Sequence, residues 1–168
     1  MSTYCLSDEI IAKIKLWEAK FPEGKQQSAV IMALRIVQDA HGYLKSEHLA
    51  AVADYLAMPR MRVNEVATFY NMYRLAPVGK YVLKVCTSIS CHLCQAEDIM
   101  QHLQKRLAVE VGGTTEDGLF TLEEAECLAA CVDAPVMIVN DLDYHKSLNA
   151  AKVDALLEEY RQKEQESL

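Results

Sequence analysis

The spacing of apolar residues predicts only helices in residues 1–80. Ile10, Ile14 and Trp17 recur at helical spacing behind Ser7, a residue type that caps helix N-termini. Three further helices are predicted to begin near Gln26, Ser46 and Pro59, and together the four form a small bundle. The residues expected to face inward from the last three helices are Val30, Leu34, Val37, Leu49, Val52, Ala53, Leu56, Val63, Val66, Tyr70 and Tyr73.

Beyond residue 80 the pattern changes to short apolar runs that alternate with helical spacing. The predicted elements are a strand at 81–85, a helix at about 91–107, strands at 119–122, 136–139 and 144–148, and a helix at 150–161. A strand-helix-strand connection makes the first two strands parallel. We therefore predict a mixed α+β or α/β chain, with a helical bundle over residues 1–80 and a four-stranded sheet with flanking helices over residues 81–168.

Composition and charge narrow the classes of function. The 168 residues are 51% hydrophobic and 24% charged, which suits one ordinary domain or two very small ones and excludes disorder. The net charge of -7 is unevenly placed, because residues 1–80 hold ten basic and eight acidic side chains whereas residues 81–168 hold seven and sixteen. An acidic chain of this kind is not expected to bind nucleic acid through its phosphates.

No targeting or membrane-spanning segment is expected. The N-terminal residues lack the basic and apolar regions of a signal peptide. The longest apolar runs, such as residues 134–139, are much shorter than the roughly 20 residues that cross a bilayer. We expect a soluble protein in a reducing compartment, where clustered cysteines are more often metal ligands or redox centres than disulfides.

Four cysteines lie at the ends of predicted strands. Cys86 and Cys91 follow the first strand, and Cys127 and Cys131 precede the third. If those strands are neighbours, the two pairs meet at one end of the sheet, as a zinc ion or a 2Fe-2S cluster would require. The step from Cys86 to Cys91 is wide for a zinc knuckle, so the spacing favours the binuclear cluster.

Cys94 offers a competing ligand set. Cys86, Cys91 and Cys94 with a distant Cys127 imitate the spacing of plant-type ferredoxins. That fold is rich in strands, whereas residues 1–80 here are predicted to be helical, and it would leave Cys131 without a role. We therefore predict Cys86, Cys91, Cys127 and Cys131 as the ligands, and expect Cys94 to pack within its helix.

Three other features of the sequence are weaker candidates for a ligand or a binding site. His92 adjoins Cys91, but Rieske centres use two histidines on one iron and no second histidine accompanies the other cysteine pair. Cys5 is isolated near the N-terminus. Gly112-Gly113 lacks the G-x-G-x-x-G pattern of dinucleotide binding, so we expect no NADH site in this chain.

With these residues placed, the sequence resembles the 24-kDa, or E-subunit, family of NADH:quinone oxidoreductase (respiratory complex I), whose members are thioredoxin-like 2Fe-2S ferredoxins. The resemblance covers nearly the whole chain, and the cysteine spacing is its most specific part. The segments that carry it are residues 65–70 (EVATFY), 77–80 (PVGK), 85–91 (VCTSISC), 115–122 (TEDGLFTL), 126–131 (ECLAAC) and 134–135 (AP).

The resemblance implies a thioredoxin-like sheet domain with one 2Fe-2S cluster on Cys86, Cys91, Cys127 and Cys131, and no catalytic residue. It implies an electron-transfer subunit in a hetero-oligomer, packed against the flavin-bearing, NADH-oxidising subunit and associated with the other iron-sulfur subunits. FMN and NADH would bind only to that partner. The complex would place the chain peripherally on the inner, cytoplasmic face of a membrane, or on the matrix side in a mitochondrion.

Two residues depart from the family pattern. The family commonly has glycine where this chain has Ala129, and it often lacks a cysteine at the position of Cys94. If the first position requires a positive φ, alanine is strained there. Neither departure removes a predicted ligand.

Three alternatives remain open at the level of sequence. The chain could be the equivalent diaphorase subunit of an NAD-linked hydrogenase or formate dehydrogenase, or a structural zinc scaffold. It could also be a thioredoxin-like thiol oxidoreductase, although the one Cys-x-x-Cys spacing, Cys91 to Cys94, begins at a predicted cluster ligand.

Overall fold

A computed structural model describes residues 4–166 of the chain. It divides into two compact units, of which the first ends at Pro77 and the second begins at Val78. In residues 4–166, none of the helices combines the length and the apolar character that crossing a bilayer requires.

The first unit is built from helices, as predicted. Ser7 caps the first helix, where its hydroxyl oxygen accepts a hydrogen bond from the Ile10 N–H at 3.4 Å. Gly42 ends the second helix with a φ of +79°. The helices are α1 (Asp8–Glu18), α2 (Val30–His41, preceded by a 3₁₀ turn over Gln26–Ala29), α3 (Ser46–Tyr55) and α4 (Arg60–Phe69).

The core of this unit confirms most of the predicted inward faces. Leu34, Val52 and Val63 are fully buried. Tyr70, predicted to face inward, is instead 39% exposed, because α4 ends at Phe69 and the chain leaves the helix there. Tyr73 is buried beyond the helix end, where its hydroxyl donates a hydrogen bond to the Ile31 carbonyl at 2.7 Å.

The second unit holds a four-stranded mixed sheet. Its elements are β1 (Tyr81–Cys86), α5 (Ile89–Leu93), α6 (Ala96–Leu107), β2 (Phe120–Ala125), β3 (Met137–Val139), β4 (Asp143–His145) and α7 (Ala150–Glu166). The strand order is β2-β1-β3-β4, in which β1 pairs with β2 in parallel and with β3 in antiparallel orientation. The predicted parallel pairing of the first two strands is therefore confirmed, and β1 and β3 are neighbours.

One apolar cluster joins the sheet to its long helices. Leu83 and Val85 of β1 pack in it with Ile99 and Leu103 of α6 and with Leu157 of α7, and all five are buried. Fully burying an aliphatic side chain of this kind contributes about 1.5–3 kcal/mol. This core fixes β1, and so fixes the position of the residue that ends it.

The helix predicted at about 91–107 is two helices. Gln95 adopts a left-handed conformation with φ +66°, which separates α5 from α6. The second of them ends at Leu107, as predicted, and Ala108 follows it with a φ of +56°. The break was missed because Gln95 is not the glycine that usually marks a left-handed position.

Candidate metal centre

The sheet topology brings both cysteine segments to one end of the second unit. Cys86 is the last residue of β1 and lies opposite Ala125, the last residue of the parallel β2. The Cys86 N–H donates to the Val136 carbonyl, just before β3, at 3.0 Å. Cys127, two residues past β2, and Cys131, shortly before β3, therefore belong to the same end of the sheet.

The first cysteine pair is buried. Cys86 and Cys91 each expose 2% of their surface, and they pack with Ala96 and Val136. The Cys86 thiol donates to the Glu126 carbonyl at 3.6 Å, which connects β1 to the second cysteine segment. This pair is held by regular structure, since one member ends a strand and the other lies on α5.

Burial also controls the protonation of Cys91. It is the main cause that raises the pKa of the Cys91 thiol to about 11, and the neighbouring Cys86 side chain, through a hydrogen bond and its charge, acts in the same direction. The charge of nearby Cys131 raises this pKa further. The pKa of Cys91 therefore responds to a cysteine from each segment.

The second cysteine pair lies in an exposed loop. Cys127 and Cys131 are both exposed, and a 3₁₀ turn over Cys131–Asp133 follows the loop. The Ala129 N–H donates to the Cys127 sulfur at 3.4 Å. Ala129 has a φ of +56°, a conformation that glycine adopts without strain. For alanine this conformation costs roughly 1–2 kcal/mol.

The residues around β4 fasten this loop. The Tyr144 hydroxyl donates to the Leu128 carbonyl at 3.1 Å. Beyond it, the Lys146 ammonium pairs with the Asp133 carboxylate at 2.8 Å, and the Ser147 N–H donates to the Asp133 carbonyl at 2.7 Å. No pattern in the sequence indicates these contacts. The nearest signal is the fourth strand predicted at 144–148, which does not by itself show a contact with the loop.

The remaining two cysteines belong to neither pair. Cys94 is exposed at the C-terminal end of α5, so the expectation that it packs within a helix is wrong. The break at Gln95 removes the helical surroundings in which it would have been buried. Cys5 is exposed in the first unit. His92 is exposed and lines a cleft of about 210 Å³ together with Glu97 and Glu124.

The donor chemistry of the four predicted ligands fits an iron-sulfur group. All four side chains are thiols, none forms a disulfide, and each of the two segments contributes two. Thiolates are the ligands that 2Fe-2S clusters use. Within residues 4–166, no three His, Cys, Asp or Glu side chains form a compact group around a single point. The ligand assignment itself stays a prediction.

Fold and site together define a class of protein: a thioredoxin-like domain with a thiol-rich end, preceded by a helical unit. The family model for the thioredoxin-like [2Fe-2S] ferredoxin matches residues 12–161. The chain belongs to the thioredoxin-like 2Fe-2S ferredoxin family. The predicted family, fold and 2Fe-2S cofactor are thereby confirmed.

Curated relatives match over most of their length. The chain is 44% identical over 149 residues to the NADH-quinone oxidoreductase E-subunit 2 of Rhizobium meliloti (strain 1021), covering 89% of this chain and 87% of the relative. It is 46% identical over 142 residues to the NADH-quinone oxidoreductase E-subunit of Rickettsia typhi (strain ATCC VR-144 / Wilmington), covering 84% and 83%.

A solved structure shares the fold. It is an NAD⁺-reducing [NiFe]-hydrogenase in the air-oxidized state, with a TM-score of 0.68 and 22% sequence identity. The match covers 77% of this chain and 23% of the hydrogenase chain. This likeness concerns the fold alone.

Proposed function

We propose that this chain is an electron-transfer subunit of an NADH:quinone oxidoreductase, in which one 2Fe-2S cluster exchanges electrons with the flavin of the NADH-oxidising subunit. The observation that carries the proposal is a thiol-rich end on a thioredoxin-like sheet, in a chain 44% identical to a curated E-subunit over 89% of its length. The function of those relatives is the one proposed here for this chain.

The ligands in this proposal are Cys86 and Cys91 for one part of the cluster and Cys127 and Cys131 for the rest. The cluster, when bound, supplies one-electron transfer. The chain's own residues bind it and control its exposure to water: the first pair is buried, whereas the second lies at the surface. In this division of labour, FMN and NADH belong to the partner subunit, and this chain has no substrate site.

Exposed apolar side chains beside the cysteines support docking of a protein partner. Ile89 and Leu93 lie on α5, on either side of Cys91, and expose 77% and 76% of their surface. Val132, next to Cys131, is fully exposed. Large apolar side chains gathered in this way are characteristic of protein interfaces. A hetero-oligomer with the flavoprotein and the other iron-sulfur subunits, peripheral on the inner face of the membrane, is the assembly we propose.

The domain organisation is part of the same proposal. We assign residues 1–80 to a helical domain that docks partners and residues 81–168 to the cluster domain. The compact units on either side of Pro77 support this division.

A second candidate is the equivalent diaphorase subunit of an NAD-linked hydrogenase. The reason for this candidate is the fold similarity to the NAD⁺-reducing hydrogenase, with a TM-score of 0.68. Affinity purification of the tagged chain from its host separates the two candidates, since membrane-arm subunits would accompany it in one case and a nickel-iron subunit in the other.

Spectroscopy of the purified holoprotein tests the main proposal. We expect about two irons per chain and, after dithionite reduction, a low-temperature electron paramagnetic resonance signal from one 2Fe-2S centre. NADH should reduce this centre only when the flavoprotein subunit is added. A colourless protein that contains zinc, or an iron-loaded protein without this signal, would contradict the proposal.

A further inference from the structure

A single peptide group connects Tyr144 to Cys127. The Tyr144 hydroxyl donates a hydrogen bond to the Leu128 carbonyl at 3.1 Å. The N–H of the same peptide belongs to Ala129 and donates to the Cys127 sulfur at 3.4 Å. The phenol, the peptide and the sulfur are therefore linked in series by two hydrogen bonds.

We propose that Tyr144 is a positioning residue for the iron-sulfur site, and that it raises the reduction potential of the cluster through the Leu128–Ala129 peptide. This inference rests on the proposed function, in which Cys127 is a ligand. A hydrogen bond to a carbonyl polarises its peptide and makes the N–H a stronger donor. Hydrogen bonds to ligand sulfurs are among the factors that set cluster potentials.

The direction of the effect follows from charge. Reduction adds one electron to the cluster and breaks no bond, and the added negative charge is shared with the ligand sulfurs. A stronger N–H donor at Cys127 stabilises this extra charge more than it stabilises the oxidised state. The Tyr144 hydroxyl therefore favours the reduced cluster, and its removal lowers the potential.

Conformational strain gives Tyr144 a second part in the same arrangement. Ala129 holds a φ of +56°, a conformation that alanine leaves readily when nothing opposes it. The hydrogen bond from Tyr144 holds the Leu128 carbonyl, and so opposes rotation of the peptide whose N–H reaches Cys127. Orientation and polarisation of this donor thus depend on one hydroxyl.

Loss of that hydroxyl should leave the loop attached. The far end of the loop is held separately, by the Lys146–Asp133 ion pair at 2.8 Å and by the Ser147 N–H bond to the Asp133 carbonyl at 2.7 Å. The Leu128 side chain also packs against the apolar cluster that contains Cys86 and Cys91. A phenylalanine at position 144 therefore removes the donor and retains the other contacts of the loop.

The first test is a redox titration of the Tyr144→Phe holoprotein, followed by visible absorption and electron paramagnetic resonance. We expect the midpoint potential to fall below that of the wild type while the iron content per chain is unchanged. The matched control is Tyr55→Phe, which deletes a hydroxyl that donates to Glu18 at 2.9 Å in the first unit. An unchanged potential in fully loaded Tyr144→Phe, or an equal fall in the control, would overturn the inference.

The second test is designed to shift the midpoint potential in the opposite direction. A ring-fluorinated tyrosine incorporated at position 144 is a stronger donor of nearly the same shape, at a pH where its phenol stays protonated. We expect a midpoint potential above that of the wild type. A merely structural role for Tyr144 predicts no rise, so an unchanged potential would contradict the inference. This variant also serves if Tyr144→Phe loses the cluster. Failure of the wild type to take up iron would instead overturn the proposed function.

Discussion

The two cysteine pairs of the candidate site are held in opposite ways. Cys86 and Cys91 lie on regular elements and are almost completely buried. Cys127 and Cys131 lie on an exposed loop, which is fastened by polar contacts from the segment around β4. The first pair therefore depends on the packing of the core, whereas the second depends on a few individual hydrogen bonds and one ion pair.

This difference suits an electron carrier. Burial on one side excludes water and maintains a rigid pair of thiols before any metal binds. Exposure on the other side brings the remaining thiols to a surface that a redox partner can approach. We therefore expect substitutions of Cys86 or Cys91 to disturb the packing of the core. Substitutions of Cys127 or Cys131 should affect only the metal centre.

The largest expected effect is the loss of a ligand from the exposed pair. Cys131→Ala should lose both bound iron and visible absorption, because a cluster held by three thiolates lacks one of its ligands. The matched control is Cys94→Ser, which removes an exposed thiol three residues from Cys91 and should retain both signals. Iron analysis and absorption spectra measure the outcome. The reverse pattern would assign the plant-type ligand set that includes Cys94.

A smaller expected effect is a difference in alkylation rate between the two cysteine pairs when the chain carries no cluster. We expect iodoacetamide to alkylate Cys127 and Cys131 at least about tenfold faster than Cys86 and Cys91, because the thiolate is the reactive form and must be accessible. Burial raises the pKa of Cys91 to about 11, so its thiol stays protonated at pH 8. Its rate should increase about tenfold per pH unit as the pH rises toward that value.

Peptide mass spectrometry after timed alkylation measures these rates, and the exposed Cys94 provides an internal reference in the same sample. Equal rates for all four predicted ligands would show that the first pair is as accessible as the second. That result would remove the contrast between a buried and an exposed pair.

The same contrast explains which features could be predicted from the sequence. Apolar periodicity was sufficient for the helical first unit and for the strands, and cysteine spacing at strand ends indicated where the thiols gather. Such signals are local and repeat along the chain. The end of α4 differed, because no sequence marker follows Phe69, where the helix stops before Tyr70 and Tyr73.

Tertiary contacts explain what could not be predicted. Gln95 and Ala108 adopt left-handed conformations without being glycine, so nothing in the local sequence marks either position. The hydrogen bond from Tyr144 to Leu128 spans sixteen residues and depends on where β4 lies beside the loop. The exposure of Cys94 follows from the break at Gln95. Only the strain at Ala129 was anticipated, because a resemblance to a family with glycine at that position supplied the missing signal.

The smallest expected effect concerns that strain. Ala129→Gly removes a left-handed alanine that costs roughly 1–2 kcal/mol, and the greater freedom of glycine in the unfolded chain offsets about 0.4–1 kcal/mol of this. We expect the free energy of unfolding of the cluster-free chain to rise by up to about 1.6 kcal/mol in urea denaturation. Ala155→Gly, the same change at an exposed position within α7, should instead lower it by about 1 kcal/mol. A loss in both variants would mean that Ala129 stores no conformational strain in the loop of the exposed cysteine pair.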